Sequence, residues 1–95
     1  MKLPRLSVDF NEMLEADLVL LSKTDTRSDS SGQTVALRDG LVVQVYEDDL
    51  GGQGQPDALV AEGRVERNNS GVDWASHAKW CCRIGPQGIR HKSEV

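Results

Sequence analysis

Apolar and polar residues alternate one for one along several short stretches of this chain, the period of a strand that turns one face to a core. The plainest case is 41 to 46, where Leu41, Val43 and Val45 take one side and Val42, Gln44 and Tyr46 the other. Asp39-Gly40, just before it, supplies the chemistry of a tight turn. The stretch 78 to 84 sends Ala78, Trp80, Cys82 and Ile84 inward and Lys79, Cys81 and Arg83 outward. The stretch 58 to 67 opposes Leu59, Ala61, Gly63 and Val65 to Glu62, Arg64 and Glu66, with Gly63 marking a bend or bulge. Residues 17 to 23 are apolar on both sides and predict a strand covered on both faces. Residues 34 to 38 and 89 to 95 complete a set of six short strands.

Only one segment reads as helix. Over residues 8 to 16, Asp9 is a cap, Glu12 follows three positions later, Val8 and Met13 form a hydrophobic staple, and Phe10, Met13 and Leu14 make an apolar face. Residues 24 to 33 and 50 to 57 are too rich in Gly, Ser, Thr and Asp for regular structure and predict flexible surface loops. Gly85-Pro86-Gln87-Gly88 reads as the turn of a last hairpin. The expected fold is therefore mainly β: one domain over 1 to 95, with a short helix at 8 to 16 and a small barrel of five or six short antiparallel strands over 17 to 95. Closure would remove exposed strand edges from so small a sheet.

Length and composition agree with this. A chain of 95 residues buries roughly 60 to 70% of the surface its unfolded form exposes, enough for one modest core. Aromatic residues are 4% of the chain, so Leu, Val and Ile must do the packing. The net charge of -4 is unevenly placed: residues 1 to 57 hold five Lys or Arg against eleven Asp or Glu, and residues 58 to 95 hold six against four. Overall acidity argues against non-specific polyanion binding, whereas the basic second part leaves room for a local anion site. Pro4, Arg5 and Asp9 interrupt the N-terminus too early for a secretory signal, and no apolar run is long enough to span a membrane. Cys81 and Cys82 are adjacent, with Cα atoms about 3.8 Å apart, too close for an unstrained disulfide. Free thiols and a cytoplasmic location follow. Asn68-Asn69-Ser70 matches a glycosylation sequon, but in that setting it reads as a turn.

The segments 37 to 46 (Leu37-Arg38-Asp39-Gly40-Leu41-Val42-Val43-Gln44-Val45-Tyr46), Gly63-Arg64-Val65, Ala78-Lys79-Trp80 and Ser93-Glu94-Val95 resemble SH3-like barrels of the Tudor or KOW kind. The resemblance covers residues 37 to 95 and lies in spacing and residue class. It implies a binding module for peptides, modified side chains or RNA. Of the aromatic residues, only Tyr46 and Trp74 could sit near the rim, too few for a full Tudor-type aromatic cage, because alternation sends Trp80 inward.

Two constellations could carry chemistry. If 85 to 88 closes a hairpin, Ile84 pairs with Ile89, Arg83 with Arg90, Cys82 with His91, and Cys81 with Lys92. The outer face then gathers Lys79, Cys81, Arg83, Arg90 and Lys92. An anion relieving the Arg83–Arg90 repulsion is one reading, and solvation with Glu66 or Glu94 as counter-charge is the other. On the inner face, Cys82 opposite His91 would be a candidate thiolate nucleophile, though nothing supplies an orienting third group. A metal site from His77, Cys81, Cys82 and His91 is opposed by strand geometry, which points adjacent cysteines to opposite faces. Glu47, Asp48, Asp49 and Asp57 do not match calcium-loop spacing, and Gly51-Gly52-Gln53-Gly54 lacks the Lys-Ser/Thr ending of a phosphate loop. No cofactor and no metal are expected.

The expectation is a non-catalytic module for protein or peptide recognition, with Lys79, Arg83, Arg90, Lys92, Tyr46 and Trp74 as candidate binding residues. The alternatives are an RNA-binding barrel working through its basic last hairpin, a homo-oligomer using outward Val42 and Val60, and an enzyme built on Cys82 and His91.

Overall fold

The computed structural model describes residues 3 to 47 and 58 to 91. The fold is mainly β, as the alternation predicts. Its strands are β1 (Arg5–Ser7), β2 (Met13–Glu15), β3 (Leu18–Ser22), β4 (Thr26–Ser28), β5 (Thr34–Ala36), β6 (Val42–Glu47), β7 (Leu59–Arg67), β8 (Trp80–Ile84) and β9 (Arg90–His91), with one 3-10 turn at Asp73–Ala75. The main sheet runs β1-β6-β7-β8-β3-β2, with β9 paired to β7. A separate hairpin, β4-β5, makes the second sheet. Among the described residues, no helix is long and apolar enough to cross a membrane.

The segment 8 to 16 is not a helix. Asp9 does cap, but it caps a tight turn: its side chain accepts the Asn11 N–H at 2.9 Å and its carbonyl accepts the Glu12 N–H at 2.9 Å. The chain then enters β2, which pairs antiparallel with β3 across Ala16-Asp17. A nine-residue helix is marginal in water, whereas β2 gains ladder bonds and places Met13 against the core.

The sheet is mixed and does not close into a barrel. β1 runs parallel to β6, with Leu6 opposite Val45, and β1 does not pair with β2 at the far edge. The opening is occupied by the β4-β5 hairpin. The Ser30 N–H donates to the Arg5 carbonyl at 2.9 Å. The Arg27 guanidinium donates to the Leu21 carbonyl at 2.6 Å and to the Ser7 carbonyl at 2.9 Å. The outward-facing acceptors of β1 are thus bonded to the hairpin, which protects that edge without barrel closure. Residues 24 to 33, expected as a loop, hold β4 and an Asp29-centred turn in which that carboxylate accepts from Ser31 and Gln33. Gly40, at φ +85°, makes the predicted turn, but β5 pairs with β4, so the turn joins the two sheets.

Both faces of the sheet are packed around β3 and β8. The first face carries the main core: Leu6, Val19, Leu21, Val43, Val45, Ala61, Val65, Trp80, Cys82 and Ile84, covered by Leu37 and Val35 of the hairpin side and by Phe10 and Met13. The second face has a smaller core of Leu18, Leu20 and Cys81, covered by Val72, Ala75 and Ala78. Ala78 and Cys81 therefore belong to this second core, and Cys81, expected outward, is fully buried. All five residues of β3 are buried, as predicted. Gly63 is neither bend nor bulge, since the β6-β7 register is continuous through it. It is a close approach: a Cβ there would meet the Arg83 carbonyl and lie 2.6 Å from Cys82 Sγ.

Among the described residues the last hairpin does not form. β8 and β9 lie end to end along the same edge of β7. Between the pairs Gly63–Ile84 and Val60–Arg90, β7 advances three residues while the other chain advances six. The chain between the two pairs is therefore three residues longer than its partner stretch of β7, and bulges outward between Ile84 and Arg90. A Gly85-to-Gly88 turn does form, with Gly88 N–H donating to the Gly85 carbonyl at 3.0 Å. Gly85 N–H donates to Glu62 O at 2.8 Å, which holds the chain on β7 and leads it onward in the same direction.

Candidate functional site

Register places the candidate residues. On the second face, cross-strand pairing forms three successive rows: Arg5, Gln44 and Glu62; Ser7, Tyr46, Val60 and Arg90; and Val42, Arg64, Arg83 and Leu18. The small core covers this face at β3 and β8. Beyond β8 the face carries half-buried Val42, Gln44 and Tyr46 and exposed Glu62 and Arg64. There the looped-out 85–87 segment walls a cleft of about 450 Å³, lined by Val42, Glu62, Arg64, Arg83, Ile84 and Pro86 among others.

Arg83 and Arg90 are not partners. Their partners on β7, Arg64 and Val60, are four residues apart, about 14 Å along a strand. The residue directly opposite Arg83 is Arg64. Arg83 reaches Asp17 at 2.8 Å, Glu66 at 2.9 Å and Glu15 at 3.3 Å. The hydrogen bonds that it donates to Glu15, Glu66 and Asp17 raise its pKa above the ordinary arginine value. Its charge is thus met within the fold, Glu66 being one of the counter-charges the sequence suggested. Arg90 donates to the Gln87 side chain at 2.9 Å.

The other candidates separate. Lys79 pairs with Asp25 at 2.7 Å, and the same carboxylate oxygen accepts Trp80 Nε1–H at 3.0 Å. Hydrogen bonds from Lys79 and then Trp80 hold the Asp25 carboxyl below its usual range. This group ties the segment before β4 to β8, with the Arg67 guanidinium 5.2 Å from the Trp80 ring. Trp74, 54% exposed, sits on the 3-10 turn. Tyr46 lies on the second face beneath the Arg5 guanidinium, 5.0 Å from its ring centre. Lys92, Asp48, Asp49, Asp57 and the glycines 51, 52 and 54 lie outside the described residues, as does the loop 50 to 57. Glu47 accepts the Phe10 N–H at 3.4 Å.

The Cys82–His91 pairing is also corrected. Cys82 is opposite Val65 and Val19, and His91 is opposite Leu59. Six residues of β7 separate the two positions, about 20 Å. Burial pushes the Cys82 thiol up to about 12 and the Cys81 thiol up to about 11, with the Glu66 charge adding to both. Among the described residues, no group of three or more His, Cys, Asp or Glu side chains is arranged to hold a metal ion. Asn68, the sequon residue, uses its side-chain amide to donate to the Ala75 and Ala78 carbonyls at 2.8 and 2.9 Å.

Two residues of this face, Arg5 and Arg64, were not singled out by sequence. Arg64 could have been found from its alternation with Glu62 and Glu66. Arg5 could not, because its strand pairs in parallel with a segment some forty residues away. Comparison of the chain with protein-family models, with curated proteins and with solved structures returns no match.

Proposed function

We propose that this protein is a non-catalytic binding module that takes a protein or peptide segment on the second face of its sheet. The observation that carries the reading is the cleft beyond β8. It joins apolar Val42 and Pro86 to polar groups of Glu62, Arg64 and Gln87, the mixture that gives a peptide site both contact area and orientation. Buried thiols held in the protonated form support a non-catalytic role.

RNA is the second reading, favoured by the Arg5–Tyr46 stack on the second face. The net charge of -4 and the three carboxylates around Arg83 weigh against a long polyanion there. The homo-oligomer reading is weaker on this face, because Val60 is only 6% exposed. A cytoplasmic location fits two free thiols.

Selection of a displayed random-peptide library on the immobilised protein tests the module, followed by mapping of enriched peptides by amide chemical shifts. Enriched peptides should move the amides of Val42, Gln44, Tyr46, Glu62 and Arg64. No enrichment, or shifts confined to other parts of the fold, would overturn the reading.

A further inference from the structure

Charge is divided across the second face. On one side stand Glu15, Asp17 and Glu66, gathered on Arg83. On the other stand three arginines, Arg5, Arg64 and Arg90, which the register spreads over β1, β7 and β9 around one carboxylate among the described residues, Glu62. Among the described residues the Arg64 side chain has no hydrogen-bond or ion-pair partner, and Arg5 Nε is buried with no acceptor while its guanidinium covers Tyr46. Among the described residues the Arg90 side chain bonds only an uncharged amide, Gln87.

From this juxtaposition we propose that the segment bound on this face is an extended acidic peptide whose carboxylates are received by Arg5, Arg64 and Arg90; the inference rests on the binding-module reading above. Guanidinium groups bind carboxylates in a planar two-point fork, and such charge-assisted bonds are stronger than neutral ones. β1 and β9 are three strand spacings apart, about 14 Å; Arg5 and Arg90 start from adjacent rows, but the Arg5 guanidinium lies over Tyr46, which shares the row of Arg90, and an extended peptide places side chains of residues i and i+4 on one side about 14 Å apart. Glu62, near the middle of the span, disfavours a carboxylate at i+2. The predicted ligand therefore has acidic residues four apart with a neutral residue between. The acidic group around Arg83 borders the site and selects against a long, uniformly anionic chain such as RNA, which a short peptide avoids.

The test uses fluorescein-labelled Gly-Glu-Ser-Ala-Ser-Glu-Gly, the same peptide with both Glu replaced by Gln, the same peptide with Glu also at the central position, and a ten-nucleotide uridine oligomer. Anisotropy at low salt measures affinity, and amide shifts locate it. The two-Glu peptide should shift Gln44, Tyr46 and Glu62 and bind at least ten-fold more tightly than the Gln and three-Glu peptides. Arg64→Gln and Arg64→Glu should weaken it progressively, with amide spectra elsewhere unchanged to show that the fold is retained. Equal affinity for the Gln peptide, indifference to Arg64→Glu, or tighter binding of the oligonucleotide at the same amides would overturn the acidic-peptide class. If library-selected neutral or basic peptides still shift those amides, the module stands without it. If no peptide does, both readings fall.

Discussion

Arg64 and Arg83 face each other directly across β7 and β8, and only Arg83 has carboxylates bonded to it among the described residues, three of them from β2, the Ala16-Asp17 turn and β7. One opposed pair of like charges thus yields a structural cation and a surface one. The division of labour sets distinct expectations for the two residues.

Arg83→Ala should destabilise the fold, because it leaves Glu15, Asp17 and Glu66 converging without a counter-charge. The pairs are partly exposed and screened, so the expected loss is about 1 kcal/mol in urea unfolding at low salt, shrinking as salt is added. Arg83→Lys should recover only part of it, since an ammonium cannot reach carboxylates on several sides as a fork does. A salt-independent loss, or full recovery by Lys, would mean that packing of the arginine stem matters more than its charge.

Gly63→Ala should cost more, about 2 to 3 kcal/mol, because the new Cβ would enter space held by the Arg83 carbonyl and Cys82 Sγ. Backbone cannot swing aside as a surface side chain can. The variant should unfold at clearly lower urea, with amide exchange accelerated first in β7 and β8. Wild-type stability would contradict the closeness of the two strands at this point.

Acid should loosen the β4-β5 hairpin. The Asp25 carboxyl is held below its ordinary value by hydrogen bonds from Lys79 and Trp80, so its contribution is present above the unfolded-state value near 4 and is lost as pH falls through the folded one. Trp80 fluorescence should report a transition in that acid window, and Asp25→Asn should remove it. A transition unaltered by Asp25→Asn would assign the acid response to other carboxylates.

Neither cysteine should react with iodoacetamide in the folded protein at neutral pH. Both are fully buried, and burial drives their thiols up to about 11 and about 12, leaving almost no thiolate. Both should label in 6 M urea. Rapid native labelling of Cys82 would revive the nucleophile reading that the strand register removes.

Local pattern carried much of the architecture. β3, β6, β7 and β8 fall where alternation or a double-sided apolar run put them, and Gly40 and Gly88 adopt the positive φ their turns require. Pairing was less legible. The cap chemistry of Asp9 serves a turn before a strand as readily as a helix, and only the ladder with β3 selects the strand. Gly85-Pro86-Gln87-Gly88 looks like a hairpin loop because its residues suit a reversal. Bonds from Gly85 to Glu62 and from β9 back to β7 make it an excursion within one edge.

The sequence by itself determined the class of fold, the extent of the main strands and the main-core residues of β6, β7 and β8 such as Val43, Val45, Val65, Trp80 and Cys82, because period-two burial is written into neighbouring positions; burial of Cys81, Ala78 and Val60 on the second face was decided by what packs there. Tertiary structure alone decided which strands meet, that a hairpin and Arg27 fill the opening where a barrel would close, and that Arg5, Arg64 and Arg90 share a face while Cys82 and His91 lie far apart. Those outcomes depend on competition among edges for the same backbone donors and acceptors. Residues distant in the chain, such as Arg5 and Gln44, settle that competition, and no local window contains both.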